Sequence, residues 1–261
     1  MEYSALIRTF NSAQSIAATV DALADQTSPP QRFVIVDSGS TDATLSLLPA
    51  DSVVVRYAGE RFNYSSALNQ GVAHLDTGYT LIISSHTVLG NPDAMAYALA
   101  LLAANPGLGA AYFMPSPSGS LTYSAIDASN FTGFNGVFNT CAVFRTALLA
   151  RRPFRPEVFS AEDQEWSRWL IESQGLAIAR ITGGGMQYRN PLTDRRDKHL
   201  REQVAVAIYA KPDMLRAPYL ARVCYRMLRP TATFADRVAN ARLLGTLVYY
   251  RLTRTLPPNF N

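Results

Sequence analysis

The 261-residue sequence is poor in the residues that build most recognisable metal and redox centres. It has two cysteines, Cys141 and Cys224, and three histidines, His74, His86 and His199. Neither cysteine sits in a C-x-x-C pair, so a disulfide framework and a zinc knuckle are excluded, and two reduced thiols are expected. There is no H-E-x-x-H, no G-x-S-x-G, no P-loop lysine and no G-x-G-x-x-G. Those absences remove zinc peptidases, α/β-hydrolases, P-loop enzymes and dinucleotide-binding enzymes. No apolar run reaches the ~18–20 residues needed to cross a bilayer. The opening Met1–Arg8 reads as a strand without a basic leader, so a cytoplasmic chain is expected.

What is present describes a packed core. The chain is 48% hydrophobic and 17% charged, without low-complexity tracts or internal repeats. Its first half alternates strands and helices. Tyr3–Arg8, Phe33–Val36, Val53–Arg56, Leu81–Ile83 and Leu108–Met114 read as strands. Between them, helices are expected after Asn11 or Ser12, after Ser40-Thr41-Asp42, after Asn63 and after Asn91-Pro92. Pro115 to Gly136 reads as a long loop, Ala177–Ile181 as a strand, and Gly183-Gly184-Gly185 as a turn.

Such alternation predicts an α/β fold with a mostly parallel sheet flanked by helices. Ligands of such sheets gather at the carboxyl ends of the strands. Three polar clusters fall there: Arg8-Thr9-Phe10-Asn11, Asp37-Ser38-Gly39-Ser40 and Ser84-Ser85-His86.

Five segments follow in order: "IRTFNSAQSIAATVDALADQT", "FVIVDSGSTDATLSLL", "FNYSSALNQGVAHL", "LIISSHTVL" and "FSAEDQEWSRWL". In this order they resemble family 2 glycosyltransferases of the GT-A fold over about residues 3 to 190. The resemblance implies inverting transfer of a sugar from a nucleotide-sugar donor to a saccharide or lipid-linked acceptor hydroxyl. It implies donor contacts at Thr9, Phe10, Asp37, Ser38 and Asn69, with Gly71 in the same pattern as Asn69. Asp163, in the Glu162-Asp163 pair, matches the general base, and Trp166 matches a nearby aromatic expected at the acceptor. A carboxylate suits that role, because the attacking hydroxyl must lose its proton.

The corner at residues 84–87 departs from the family. Relatives usually carry an Asp-x-Asp motif there that holds Mg²⁺ or Mn²⁺ on the donor diphosphate; here Ser84, Ser85 and His86 stand in its place. Hard cations prefer carboxylate oxygens, although Mn²⁺ tolerates imidazole. Three roles for His86 stand open: a lone metal ligand, a direct diphosphate contact with Ser84, Ser85 and either Tyr188 or Arg189, or a remnant in a catalytically degenerate nucleotide-sugar-binding protein. The expectation leans to weak or absent metal dependence.

Charge is uneven along the chain. From Lys198 onward there are 11 Lys and Arg against 3 Asp and Glu, whereas residues 1–197 hold 13 against 17. Two units are expected, a GT-A domain over 1–195 and a basic helical extension over 196–261. Arg222, Arg226 and Arg229 lie three or four apart, and Tyr249-Tyr250 stands beside Arg251. This tail suits an anionic membrane surface, which would place the chain on the inner face of the plasma membrane, or a second subunit. It lacks a nucleic-acid recognition motif.

Overall fold

Apolar strands buried on both faces need a helical layer on each side, and the chain supplies both. The computed structural model of the protein describes residues 1–189, 195–258 and 260, with backbone alone at 195 and 196. Strands β1 (Tyr3–Thr9), β2 (Arg32–Asp37), β3 (Val53–Arg56) and β4 (Tyr79–Ser84) run parallel in the order β3-β2-β1-β4. Helix α1 (Ile16–Ala24) links β1 to β2, and α2 (Tyr64–Val72) links β3 to β4.

Side chains alternate across this sheet. Ile7, Ile35, Leu81 and Ile83 face α1 and the later helix α3 (Ala94–Ala104), while Leu6, Val34, Val36 and Ile82 face α2 and α5 (Glu162–Gln174). Trp166 is fully buried in the second layer, against Phe144, Phe154 and Trp169.

Beyond β4 the sheet becomes mixed. β8 (Cys141–Arg145) is antiparallel to β4 and to β6 (Leu108–Pro115), and β9 (Ala177–Tyr188) is parallel to β6. The short β5 (Thr87–Leu89) and β7 (Ser118–Ile126) pair antiparallel with β9. Helix α4 (Thr146–Arg151) follows β8 directly.

Four local expectations need correction. Residues 115–136 are not all loop, because β7 forms within them on a partner distant in sequence. The three glycines are not a turn. Gly183 and Gly185 take φ of 83° and 65°, and β9 continues through them as a bulge under β7. After Asp42 only a 3₁₀ turn forms (Ala43–Leu47), since Leu48 precedes Pro49 and is held extended. The first helix starts after Ser15, whose side chain makes no cap bond; the Ser12 carbonyl accepts from the Ser15 and Ile16 amides instead.

The basic tail folds as α6 (Arg195–Ala205), a π turn (Val206–Ala210), a 3₁₀ turn (Pro212–Leu215), α7 (Ala217–Leu228) and α8 (Phe234–Thr253). A third apolar cluster, including Val204, Met214, Val223, Leu243 and Leu247, holds these helices together. The expected boundary between residues 195 and 196 falls in the first turn of α6. Arg168 Nη1 donates to the Tyr209 carbonyl, and Lys211 Nζ to that of Phe131, tying tail to sheet body. Both cysteines are free, and burial pushes the Cys141 thiol's pKa up.

Helix α2 lies so close to the sheet that a Cβ on Gly71 would run into Leu6 Cδ1 and Val36 Cγ2. Gly71→Ala is expected to destabilise the protein by about 1–3 kcal/mol through overpacking, read from the denaturant midpoint at unchanged slope.

Candidate active site

The three polar strand ends meet and are stapled to one another. The Asn11 amide donates to Ser40 Oγ (2.9 Å), and the Thr41 amide to Asn11 Oδ1 (2.8 Å). The Ser12 amide donates to Thr44 Oγ1 (2.7 Å), and Ser12 Oγ lies 2.8 Å from Ser85 Oγ. Asn11 pays for this closure with a left-handed backbone (φ 46°), which Asn tolerates better than most residues. Asp37 is buried beneath the second cluster and accepts from the amides of Gly39 and Ser40 and from Ser40 Oγ (2.6 Å).

Above these ends opens a cavity of about 710 Å³. Thr9, Phe10, Ser38, Ser84, Ser85, His86, Glu162 and Asp163 all line it, so most of the site residues expected from sequence do come together. Four do not line it: Asp37, buried beneath the second cluster, and Asn69, Trp166 and Arg189. Asn69 on α2 clamps the chain at Phe154, donating to its carbonyl (2.7 Å) and accepting from its amide (2.9 Å). Trp166 lies in the core, its indole N–H donated to the Arg152 carbonyl (3.0 Å). Arg189 is exposed and donates to Gln187 Oε1 (2.9 Å).

At the corner, β4 stops at Ser84, whose amide donates to the Thr140 carbonyl. His86 Nδ1 lies 2.9 Å from Ser15 Oγ, and no described residue bonds its Nε2. Burial lowers the His86 pKa, so the imidazole is neutral at neutral pH. Among the described residues no group of three or more His, Cys, Asp or Glu could hold a metal. With Ser85 Oγ engaged by Ser12, the corner offers one imidazole nitrogen and one hydroxyl, which does not fit a hard divalent cation.

Lining the same cavity, α5 starts at the carboxylate pair. Its cap residue Ala161 is left-handed (φ 56°), strain of a kind that concentrates at functional sites. Asp163 Oδ1 accepts from the Gln164 amide (2.8 Å) and Oδ2 from the Asn139 amide (3.2 Å). Glu162 is buried and accepts from Asn139 Nδ2 (3.2 Å). Desolvation, followed by repulsion from Glu162, raises the Asp163 pKa to about 7, against the bonds to those two amides; Glu202 adds further repulsion. Behind the pair, Glu165 forms a two-pronged ion pair with Arg152 (2.7 and 2.5 Å), which anchors the helix.

Several lining residues were not singled out from sequence: Tyr64, Asn139, Lys198 and Glu202, with Phe134 and Phe138. Lys198 and Glu202 come from α6, so the basic tail completes the cavity wall. Their helical i, i+4 spacing was visible; their destination was not.

Sheet order and cavity define a GT-A glycosyltransferase fold. The family model for glycosyl transferase family 2 matches residues 4–146, and the chain belongs to that family. It is 25% identical over 219 residues to the O-antigen chain rhamnosyltransferase RfbN of Salmonella typhimurium, covering 76% of this chain and 69% of that one. Solved structures with the same fold include TarS (1–349) of S. aureus, at TM-score 0.60 and 18% identity, covering 97% of this chain and 81% of that one. The mannosyltransferase PcManGT of Pyrobaculum calidifontis, solved with GDP-Man and Mn²⁺, matches at TM-score 0.59 and 20% identity, covering 98% and 76%. Glucosyl-3-phosphoglycerate synthase of Mycobacterium tuberculosis, solved with Mn²⁺, UDP and product, matches at 0.58 and 16%, covering 79% and 80%.

The raised Asp163 pKa has a consequence for stability. The folded state keeps the Asp163 proton to higher pH than the unfolded chain does, so stability from this group is present at low pH and lost as pH rises towards about 7. Asp163→Asn carries no such charge. The melting temperature of the variant minus that of the wild type is expected to increase between pH 5 and pH 8; a flat or falling difference would contradict the burial of a strained carboxylate.

Proposed function

We propose that this glycosyltransferase transfers a sugar with inversion from a nucleotide-sugar donor to a hydroxyl of a saccharide or lipid-linked acceptor, in assembly of a cell-surface polysaccharide or glycolipid. The observation that carries the reading is Asp163. It lines the same cavity as the Ser84–His86 corner, and its proton affinity lies close to neutral pH, where a general base works best. The acceptor O–H gives its proton to the Asp163 carboxylate. The oxygen attacks the anomeric carbon from the face opposite the leaving group. The C–O bond to the diphosphate breaks, and the nucleoside diphosphate leaves with the electron pair. Phe10 and Thr9 from β1 and Ser38 from β2 form the side for the nucleoside, while Ser84 and His86 face the diphosphate. Glu162 raises the basicity of its neighbour by repulsion. The rhamnosyltransferase relative supports an O-antigen-like product.

Asp163→Asn is expected to lower kcat for transfer by three orders of magnitude or more while leaving donor affinity within about threefold, as removal of a transition-state proton acceptor should. Full turnover by the variant would end the assignment. Because the corner does not fit a divalent cation, transfer is expected to persist in EDTA; loss of activity on chelation, restored by Mn²⁺, would refute this. The absent carboxylates also favour a second reading, a nucleotide-sugar-binding protein without turnover. Donor binding with neither transfer nor donor hydrolysis, with or without Mn²⁺, would select it.

We also infer that the tail meets an anionic membrane. No helix among the described residues is long and apolar enough to cross one. The turn between α7 and α8, however, exposes Tyr225 (71%), Leu228 (61%) and Phe234 (83%), beside Arg222, Arg229 and Arg237. Apolar side chains flanked by arginines suit the interface of an anionic leaflet. The wild-type chain is expected to float with phosphatidylglycerol vesicles, and Leu228→Asp/Phe234→Asp to stay in solution; equal flotation would overturn the inference.

A further inference from the structure

A family 2 transferase must offset the negative charge on the departing diphosphate, and the corner where relatives place carboxylates and a metal has neither acid. The structure shows a cation beside that corner. Arg8 is the penultimate residue of β1, and its register partner on β4 is Ser84, the first residue of the corner. In-register neighbours on adjacent parallel strands project to the same face. Arg8 lines the same cavity as Ser84, His86 and Asp163.

The state of this guanidinium is unusual. Its Nε and Nη1 are shut off from solvent and bond to no protein acceptor. Its guanidinium lies over the Tyr64 ring, 4.7 Å from the centroid. A cation–π contact returns part of the cost of desolvating the charge and satisfies none of its N–H donors. Arg8 as a whole is half-buried, and shutting its Nε and Nη1 from solvent without an acceptor is costly unless an anion arrives from the cavity. Buried Thr9 Oγ1 and Asn139 Oδ1, on the walls of the same cavity, also lack partners.

We propose that Arg8 is the donor's diphosphate-binding residue, supplying from the end of β1 the positive charge that a divalent ion would otherwise supply. The assignment rests on the donor reading given above. A guanidinium presents N–H groups in a planar fork that matches two phosphate oxygens at once and stays charged at every working pH. Tyr64, at the first position of α2 and itself on the cavity wall, packs its ring against that fork. Lys198 on α6, on the same cavity wall, is paired with Glu202 (3.7 Å) and is therefore the weaker candidate.

The test is calorimetric titration of the full chain with UDP, dTDP and GDP and with uridine, thymidine and guanosine, in EDTA and again with Mn²⁺. Wild type is expected to bind one nucleoside diphosphate in EDTA, more tightly than its nucleoside. Arg8→Gln is expected to lose on the order of 10- to 100-fold of the diphosphate affinity, the worth of charge-assisted hydrogen bonds, and to bind the nucleoside as wild type does. Arg8→Lys, which keeps the charge without the fork, should fall between them and serves if the Gln variant does not fold. Unchanged diphosphate affinity in both variants would overturn the assignment. So would a raised KM for the acceptor with donor affinity intact, which would make Arg8 a site for an acidic acceptor. Failure of wild type to bind any nucleoside diphosphate would instead sink the donor reading, and the role of Arg8 with it.

Discussion

Two neighbouring carboxylates at the start of α5, facing a cavity instead of bulk water, are the constraint on which the rest of the site depends. Like charges on adjacent residues repel, and desolvation disfavours the charged form of Asp163. The surrounding structure is arranged to tolerate them. The backbone of Asn139 and Gln164 donates to Asp163, the side chain of Asn139 donates to Glu162, and the left-handed Ala161 aims the first turn. Trp166 and the Arg152–Glu165 pair then fix the helix so that the acids cannot swing away from the cavity. The result is an aspartate whose pKa is raised towards neutrality, as the proposed proton acceptor requires.

The Ser84–His86 corner poses a complementary problem under the proposed donor reading. A leaving diphosphate needs positive charge, and hydroxyls and an imidazole orient an anion well but neutralise little of it. The proposed role of Arg8, on the adjacent strand with its guanidinium over the Tyr64 ring, fills that gap.

Legibility from sequence followed the range of the interactions. The parallel half of the sheet was readable because each strand and helix carries its own pattern and short links leave few topologies. The polar ends of β1, β2 and β4 were readable for the same reason, and so was the Glu162-Asp163 pair. The misread segments depend on distant partners. β7 looks like a Ser- and Gly-rich loop and becomes a strand only against β9, and the three glycines look like a turn because the close approach of Gly183 to Ser120 and of Gly185 to Ser118 is invisible in one dimension. Asn69 and Trp166 sit in the expected segments, yet their side chains bond the backbone at Phe154 and Arg152, which only packing could show.

By itself the sequence determined most of the order of elements and the strand ends that would meet, since these follow from local periodicity, and its resemblance to a family marked the carboxylate pair and the absence of the usual metal-binding acids. The tertiary structure decided which of those residues face the cavity, that α6 closes its wall, and that Arg8 Nε and Nη1 are left without an acceptor. Charge and hydrogen-bond satisfaction depend on what lies within a few ångströms in space, and that is fixed only when the strands and helices pack.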